Sequence, residues 1–177
     1  MGGQKLLLAL HGRPIVRWSV EALLPHVDDL VVVTGPGADA VRAALDGLAI
    51  RFAENPSPED GQGTSIAAGV AALRPGTDAV IIALGDQPRM SPDVVPALLE
   101  GWRRTGKPIV APVYRGVQGT PVLFAAEVFA ELRALTGDAG ARSVVAARRE
   151  RVERVTFDAA MPPDVDTPED FARLHVE

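Results

Sequence analysis

The 177-residue sequence contains no cysteine, which removes disulfides, thiolate zinc sites and thiol nucleophiles at once. That absence fits a reducing compartment, and the cytoplasm is the expected location. No apolar run approaches the roughly 18 residues of a membrane span. No basic segment followed by an apolar one opens the chain, so no signal peptide is expected. Positive charge is also short. The net charge is −5, so neither a nucleic-acid polymer nor an anionic membrane is an expected partner. Histidine is scarce: His11, His26 and His175 show no ligand spacing and read as surface residues. Trp18 and Trp102 fall on apolar helix faces and read as core.

What is present is ordinary for a globular domain. Hydrophobic residues make up 47% and charged residues 23%, enough for one sizeable core in one domain spanning residues 1–177. Short apolar runs alternate with amphipathic stretches. Strands are predicted at Leu30–Thr34, Ala79–Leu84, Ile109–Val113 and Val152–Phe157, with weaker ones at Ile50–Ala53 and Val122–Phe124. Helical spacing joins Val41, Leu45 and Leu48; Val94, Val95, Leu98, Leu99 and Trp102; and Val128, Phe129, Leu132 and Leu135. Ser91-Pro92 and Thr167-Pro168 each place a hydroxyl at an N-cap and proline in the first turn. This alternation predicts an α/β fold with a mostly parallel sheet and helices on both faces.

Four places carry candidate chemistry. The apolar run ending at Leu84 is followed by Gly85-Asp86-Gln87-Pro88. In an open parallel sheet ligands bind at the carboxyl ends of strands, and a carboxylate there suits Mg²⁺. A turn aspartate bonding its own backbone reads equally well from spacing alone. Gly61-Gln62-Gly63-Thr64-Ser65 opens a helical stretch predicted at Ile66–Leu73. Glycines and hydroxyls at a helix start offer N–H groups to an anion or a polar ring, although an ordinary cap has the same composition. No lysine follows, so it is not a Walker A loop. Asp166, before the Thr167 cap, is either a second metal carboxylate or a residue favouring the helix dipole. Lys5 is either a phosphate contact or a solvated terminal lysine. Arg148-Arg149-Glu150-Arg151 reads as a solvated helix end.

The order of the motifs says more than any one of them. MGGQKLLLALHGRPIV, GQGTS, LGDQP, GTPVLF, LTGDAGAR and DVDTPEDFARL together resemble the molybdenum cofactor cytidylyltransferase family, within the MobA-like NTP transferases. The resemblance runs from Met1 to about Leu174. It implies a Rossmann-like, glycosyltransferase-A-type fold. It also implies transfer of CMP from CTP, with Mg²⁺, to Mo-molybdopterin, releasing pyrophosphate. The product would serve molybdoenzyme clients of the xanthine dehydrogenase and carbon monoxide dehydrogenase type. By position, Lys5 matches the triphosphate lysine and Asp86 the metal carboxylate, with Asp166 as the second. Gly63, Thr64 and Ser65 match the loop near base and ribose, and Gly85 belongs to the same nucleotide-binding set. Gly119, Thr120 and Pro121 match an acceptor-side segment.

Two departures matter. The family begins with a strand and a Leu-Ala-Ala-Gly-x-Ser-x-Arg loop directly before Met-Gly, and this sequence begins at that Met-Gly. The expectation is an internal methionine taken as the start, with the first strand and triphosphate loop missing and a neighbouring strand edge unpaired. The family also has Gly-His-Pro where this chain has Gly119-Thr120-Pro121. A hydroxyl does not titrate near neutral pH as imidazole does. Transfer from GTP, another phosphorylated acceptor, or a non-catalytic cofactor-binding role therefore stay open.

Overall fold

The computed structural model describes residues 2–174; His175 lies outside them. The chain opens with a 3₁₀ segment, Gly2–Leu7. A short hairpin, β1 (Ala9–Leu10) and β2 (Arg13–Pro14), leads into α1 (Ile15–Leu23). Then come β3 (Val31–Thr34), α2 (Asp39–Ala44), β4 (Arg51–Glu54) and α3 (Gln62–Ala71). The second half runs β5 (Ala79–Ile82), α4 (Val94–Thr105), β6 (Ile109–Tyr114), β7 (Val117–Gln118) and β8 (Val122–Ala125). It closes with α5 (Phe129–Arg133), α6 (Gly140–Ala147), β9 (Val152–Phe157) and α7 (Pro168–Arg173). All six strands expected from the apolar runs are present.

β3 and β4 pair in parallel, with Val31 opposite Arg51 and Thr34 opposite Glu54. In the larger sheet β8 lies antiparallel to both β5 and β6, and β9 lies parallel to β6. β5, β6 and β9 therefore share one direction, and β8 is the reversed strand among them. Among the described residues β3 pairs only with β4, and β5 only with β8.

β6 is the centre of the core. Ile109, Val110 and Ala111 are fully buried, as are Leu123 and Phe124 beside them on β8. Each such large apolar side chain contributes on the order of 1.5–3 kcal/mol. Alternation along β6 divides two layers. Ile109 and Ala111 meet Ile66, Val70, Phe129 and Val144 from α3, α5 and α6. Val110 and Tyr114 meet Val94 and Leu98 from α4. Helices thus cover both faces.

Several boundaries move for local reasons. α3 begins at Gln62, four residues before the expected start, so Thr64 and Ser65 lie in its first turn. Asp93, not Ser91, occupies the N-cap of α4; the Ser91 hydroxyl accepts from Asp93 N at 3.4 Å within a preceding turn. The Thr167 cap is as read: its hydroxyl accepts from Asp170 N, and Asp170 answers with a full capping box. Leu48 lies beyond α2 yet still packs on Val41 and Leu45. Trp18 is only half-buried, with its indole N–H on the Leu10 carbonyl at 2.9 Å. No helix among the described residues is long and apolar enough to cross a membrane.

Candidate active site

The chain leaves β5 at Ile82 and reaches Asp86 four residues later. Two backbone anchors fix the segment there. The Gly85 carbonyl accepts from the Ser19 hydroxyl at 3.0 Å, and the Asp86 carbonyl accepts from Val165 N at 3.1 Å. Val165 is fully buried beside Ile15 and Leu174, so the segment bearing Asp164 and Asp166 is held against Asp86. A Cβ on Gly85 would meet the Leu6 and Val16 side chains at 3.6 and 3.7 Å, ordinary contact.

Lys5 joins these parts. Its ammonium donates to Asp86 Oδ2 at 2.6 Å and to Asp166 Oδ1 at 2.8 Å. Asp86 and Lys5 are largely covered, with side chains 17% and 20% exposed, whereas Asp166 is 67% exposed. Burial by itself lowers the Lys5 pKa, but the hydrogen bonds and charges of Asp166 and Asp86 outweigh it and the net shift is upward. The lysine therefore keeps its positive charge throughout the neutral range. Residues distant in the chain thus present two carboxylates to one cationic point.

Behind this trio runs a hydrogen-bonded relay. Gln87 is 4% exposed. Its amide nitrogen donates to Asp164 Oδ1 at 2.7 Å, and its amide oxygen accepts from the Thr120 hydroxyl at 2.6 Å. The Thr120 carbonyl accepts from the Tyr114 hydroxyl at 3.0 Å. Burial pushes that phenol up to about 12. A cis peptide joins Thr120 to Pro121. A Cβ on Gly119 would come within 2.8 Å of the Tyr114 ring, so the segment needs glycine for packing. In the sequence Gln87 stands only within the LGDQP motif, and nothing local gives it a role of its own.

Asp164 is the third carboxylate of the group. Its pKa is raised, chiefly by burial; the charges of Asp86 and Asp166 add to the rise, and the Gln87 hydrogen bond and Lys5 oppose it. Ionised Asp164 therefore disfavours the folded state. The penalty is absent below the ordinary value of 3.8 and sets in as pH rises through the raised folded value. Asp164→Asn keeps an acceptor for Gln87 and removes that charge. The metal-free variant should gain stability relative to the parent as pH rises from 4 to 7, read by thermal unfolding. A constant difference across that range would contradict the assignment.

The glycine loop forms a separate cluster. Asn55, 2% exposed, closes β4. Its amide nitrogen donates to the Thr64 and Ser65 hydroxyls at 2.8 and 3.0 Å, and its amide oxygen accepts from Ser57 N at 3.1 Å. The Thr64 hydroxyl in turn donates to the Gly61 carbonyl at 2.8 Å, so its hydrogen is committed within the loop. A Cβ on Gly63 would lie 2.9 Å from the Gly137 and Thr136 carbonyl oxygens. The glycine thus admits a neighbouring loop. Among the described residues no hydrogen bond or ion pair joins this cluster to Lys5, Asp86 or Asp166.

The site suits a divalent cation in its donor chemistry. Asp86 and Asp166 offer hard oxygens to one point already held by an ammonium, and three carboxylates against one lysine leave the locality negative. Among the described residues no cluster of three or more histidine, cysteine, aspartate or glutamate side chains is arranged to hold a metal by itself. A pair of carboxylates suits a hard divalent cation that draws its other ligands from water and phosphate.

A family model described as the MobA-like NTP transferase domain matches residues 1–153. The molybdenum cofactor guanylyltransferase of Cereibacter sphaeroides is 33% identical over 98% of this chain and 88% of its own length. The bifunctional protein GlmU of Zymomonas mobilis is 33% identical over 60% of this chain, and the match spans only 24% of that protein. Among solved structures, Rv0371c from Mycobacterium tuberculosis in complex with manganese superposes with a TM-score of 0.84 at 28% identity, covering 99% of this chain and 94% of the other.

Proposed function

The chain belongs to the MobA-like NTP transferase domain family, and from that premise we propose that it transfers a nucleotidyl group from an NTP to a phosphorylated acceptor. The specific reading is CMP from CTP to Mo-molybdopterin. The observation that supports nucleotidyl transfer is the meeting of Lys5, Asp86 and Asp166 within 2.8 Å contacts beyond the end of β5, and the specific substrates rest on the resemblance of the motifs.

In such a transfer an acceptor phosphate oxygen attacks the α-phosphorus. The bond from that phosphorus to the β-bridging oxygen breaks, and pyrophosphate leaves with the electron pair. Negative charge grows on the phosphoryl oxygens and the leaving group. Asp86 and Asp166 would hold Mg²⁺, whose chemistry is to neutralise that charge. Lys5 exchanges its carboxylate contacts for the triphosphate and stays protonated. Ser65, whose hydroxyl accepts from Asn55, keeps its hydrogen to donate to nucleotide. Thr64 and Gly63 act by shaping the loop, and Gly85 leaves the space beside Asp86 open to nucleotide. Gly119, Thr120 and Pro121 lie on the acceptor side, tied to the carboxylates through Gln87. Positioning and charge stabilisation supply most of the rate.

A second reading, GTP as donor, is favoured by the relative named as a guanylyltransferase. The test is pyrophosphate release with Mg²⁺ and molybdopterin, comparing CTP, GTP, ATP and UTP. Preference for CTP supports the specific reading, and preference for GTP shifts only the base. Absence of release with all four nucleotides would overturn the enzyme assignment.

A further inference from the structure

One charged patch is unused by this chemistry. Arg142 on α6, Arg149 just after it and Arg154 on β9 line one cavity of about 130 Å³, together with Gln118 on β7. Val145 and Val152, both buried, form its apolar floor. The tertiary fold makes this cavity. β9 pairs with β6 with Arg154 opposite Ala111, β7 pairs with β6 with Gln118 opposite Val113, and α6 packs on the same face through Val144 and Val145.

Two observations mark it as more than solvated surface. No carboxylate lines it. Among the described residues none of the three guanidinium groups has an ion-pair or hydrogen-bond partner, although the chain holds 23 acidic against 18 basic side chains. Neighbouring arginines elsewhere do find partners: Arg151 meets Glu131 at 2.8 Å and Arg104 meets Glu153 at 2.7 Å. Three guanidinium groups around one small cavity make it locally positive. Their planar forks match phosphate oxygens in paired hydrogen bonds, and the Gln118 amide adds a neutral donor.

We propose that this pocket binds a phosphate-class anion, either inorganic phosphate or the phosphate group of a small molecule. Gln118 directly precedes Gly119, so an anion held there lies against the acceptor-side segment. Assigning it to the acceptor rests on the function proposed above; the anion site itself does not.

The test is calorimetric titration of the full chain with inorganic phosphate at constant ionic strength. Replacing the arginines together (Arg142→Gln, Arg149→Gln, Arg154→Gln) should weaken phosphate binding by about tenfold or more, while Lys5→Met leaves it in place. All three side chains are exposed, so the fold should persist, and circular dichroism checks this. Absence of phosphate binding by the parent would overturn the proposal, as would binding kept by the triple variant and lost in Lys5→Met. A turnover arm separates the sources. If phosphate raises the KM for molybdopterin and leaves kcat unchanged, the pocket holds the acceptor's own phosphate. If phosphate alters kcat without moving that KM, it holds a separate effector. If no nucleotide supports turnover, the binding arm still decides the site by itself.

Discussion

Asp86→Ala is expected to lower pyrophosphate release by about a thousandfold or more with the chain still folded, a loss of the size seen when a group that stabilises transition-state charge is removed. The structure explains both halves. Among the described residues the Asp86 side chain makes one hydrogen bond, to Lys5, and Lys5 retains Asp166 when that contact goes. What holds the segment is backbone: the Gly85 carbonyl on Ser19 and the Asp86 carbonyl on Val165. Neither involves the carboxylate. Thermal unfolding should therefore change little while the reaction is lost. Asp166→Ala should cost less, because that carboxylate is 67% exposed and less well fixed. A folded Asp86→Ala chain with parental turnover would remove the metal assignment, and an unfolded one would make the residue structural.

Gly61→Ala is expected to be the most destabilising single methyl addition in the glycine loop. Gly61 has φ 101 and ψ 172, a region essentially closed to side chains. An added Cβ would also lie 2.3 Å from the Gly137 carbonyl carbon, and backbone cannot swing aside as a side-chain tip can. Strain of roughly 1–3 kcal/mol and overpacking of similar size together give about 2–6 kcal/mol. For a domain of this length that lowers Tm by roughly 4–24 °C. Gly76→Ala is the control: φ is 82 there, but nothing lies within 4 Å of the new Cβ. Its loss should be about 1 kcal/mol. Differential scanning calorimetry compares the two directly. Equal losses would mean that backbone conformation alone matters and that the approach of the 136–138 loop is unimportant. The expected larger loss at Gly61 would assign that glycine to packing, whatever nucleotide the loop also meets.

Much of the fold was legible in order. Each apolar run became a strand because β-branched residues buried between two helical layers have few other places to go. β3 ends before Gly35-Pro36-Gly37 and β9 before Asp158, and Thr167-Pro168 with Asp170 three residues on fixes the start of α7 by local hydrogen bonding alone. Ser91 shows the limit of such reading. The same hydroxyl-proline pair stands before α4, yet the helix starts three residues later, because Val94 must enter at full burial beside Leu98 and Leu123.

By itself the sequence determined the alternation of strands and helices, the absence of thiol chemistry, and the residue types that could meet phosphate and metal. Lys5, Asp86 and Asp166 were recognisable only as separate candidates, each with a plainer reading. Tertiary structure brings them together: Lys5 and Asp166 are separated by 161 positions, and both come within hydrogen-bond reach because Val165 is buried against the body of the fold. It also decided what no local pattern contains, that Gln87 links Thr120 to Asp164 and that three arginines from different elements share one cavity. The physical reason is common to both. Secondary structure follows from forces between neighbours a few residues apart, whereas a site is a coincidence of side chains whose separation in space is set by how buried apolar faces stack.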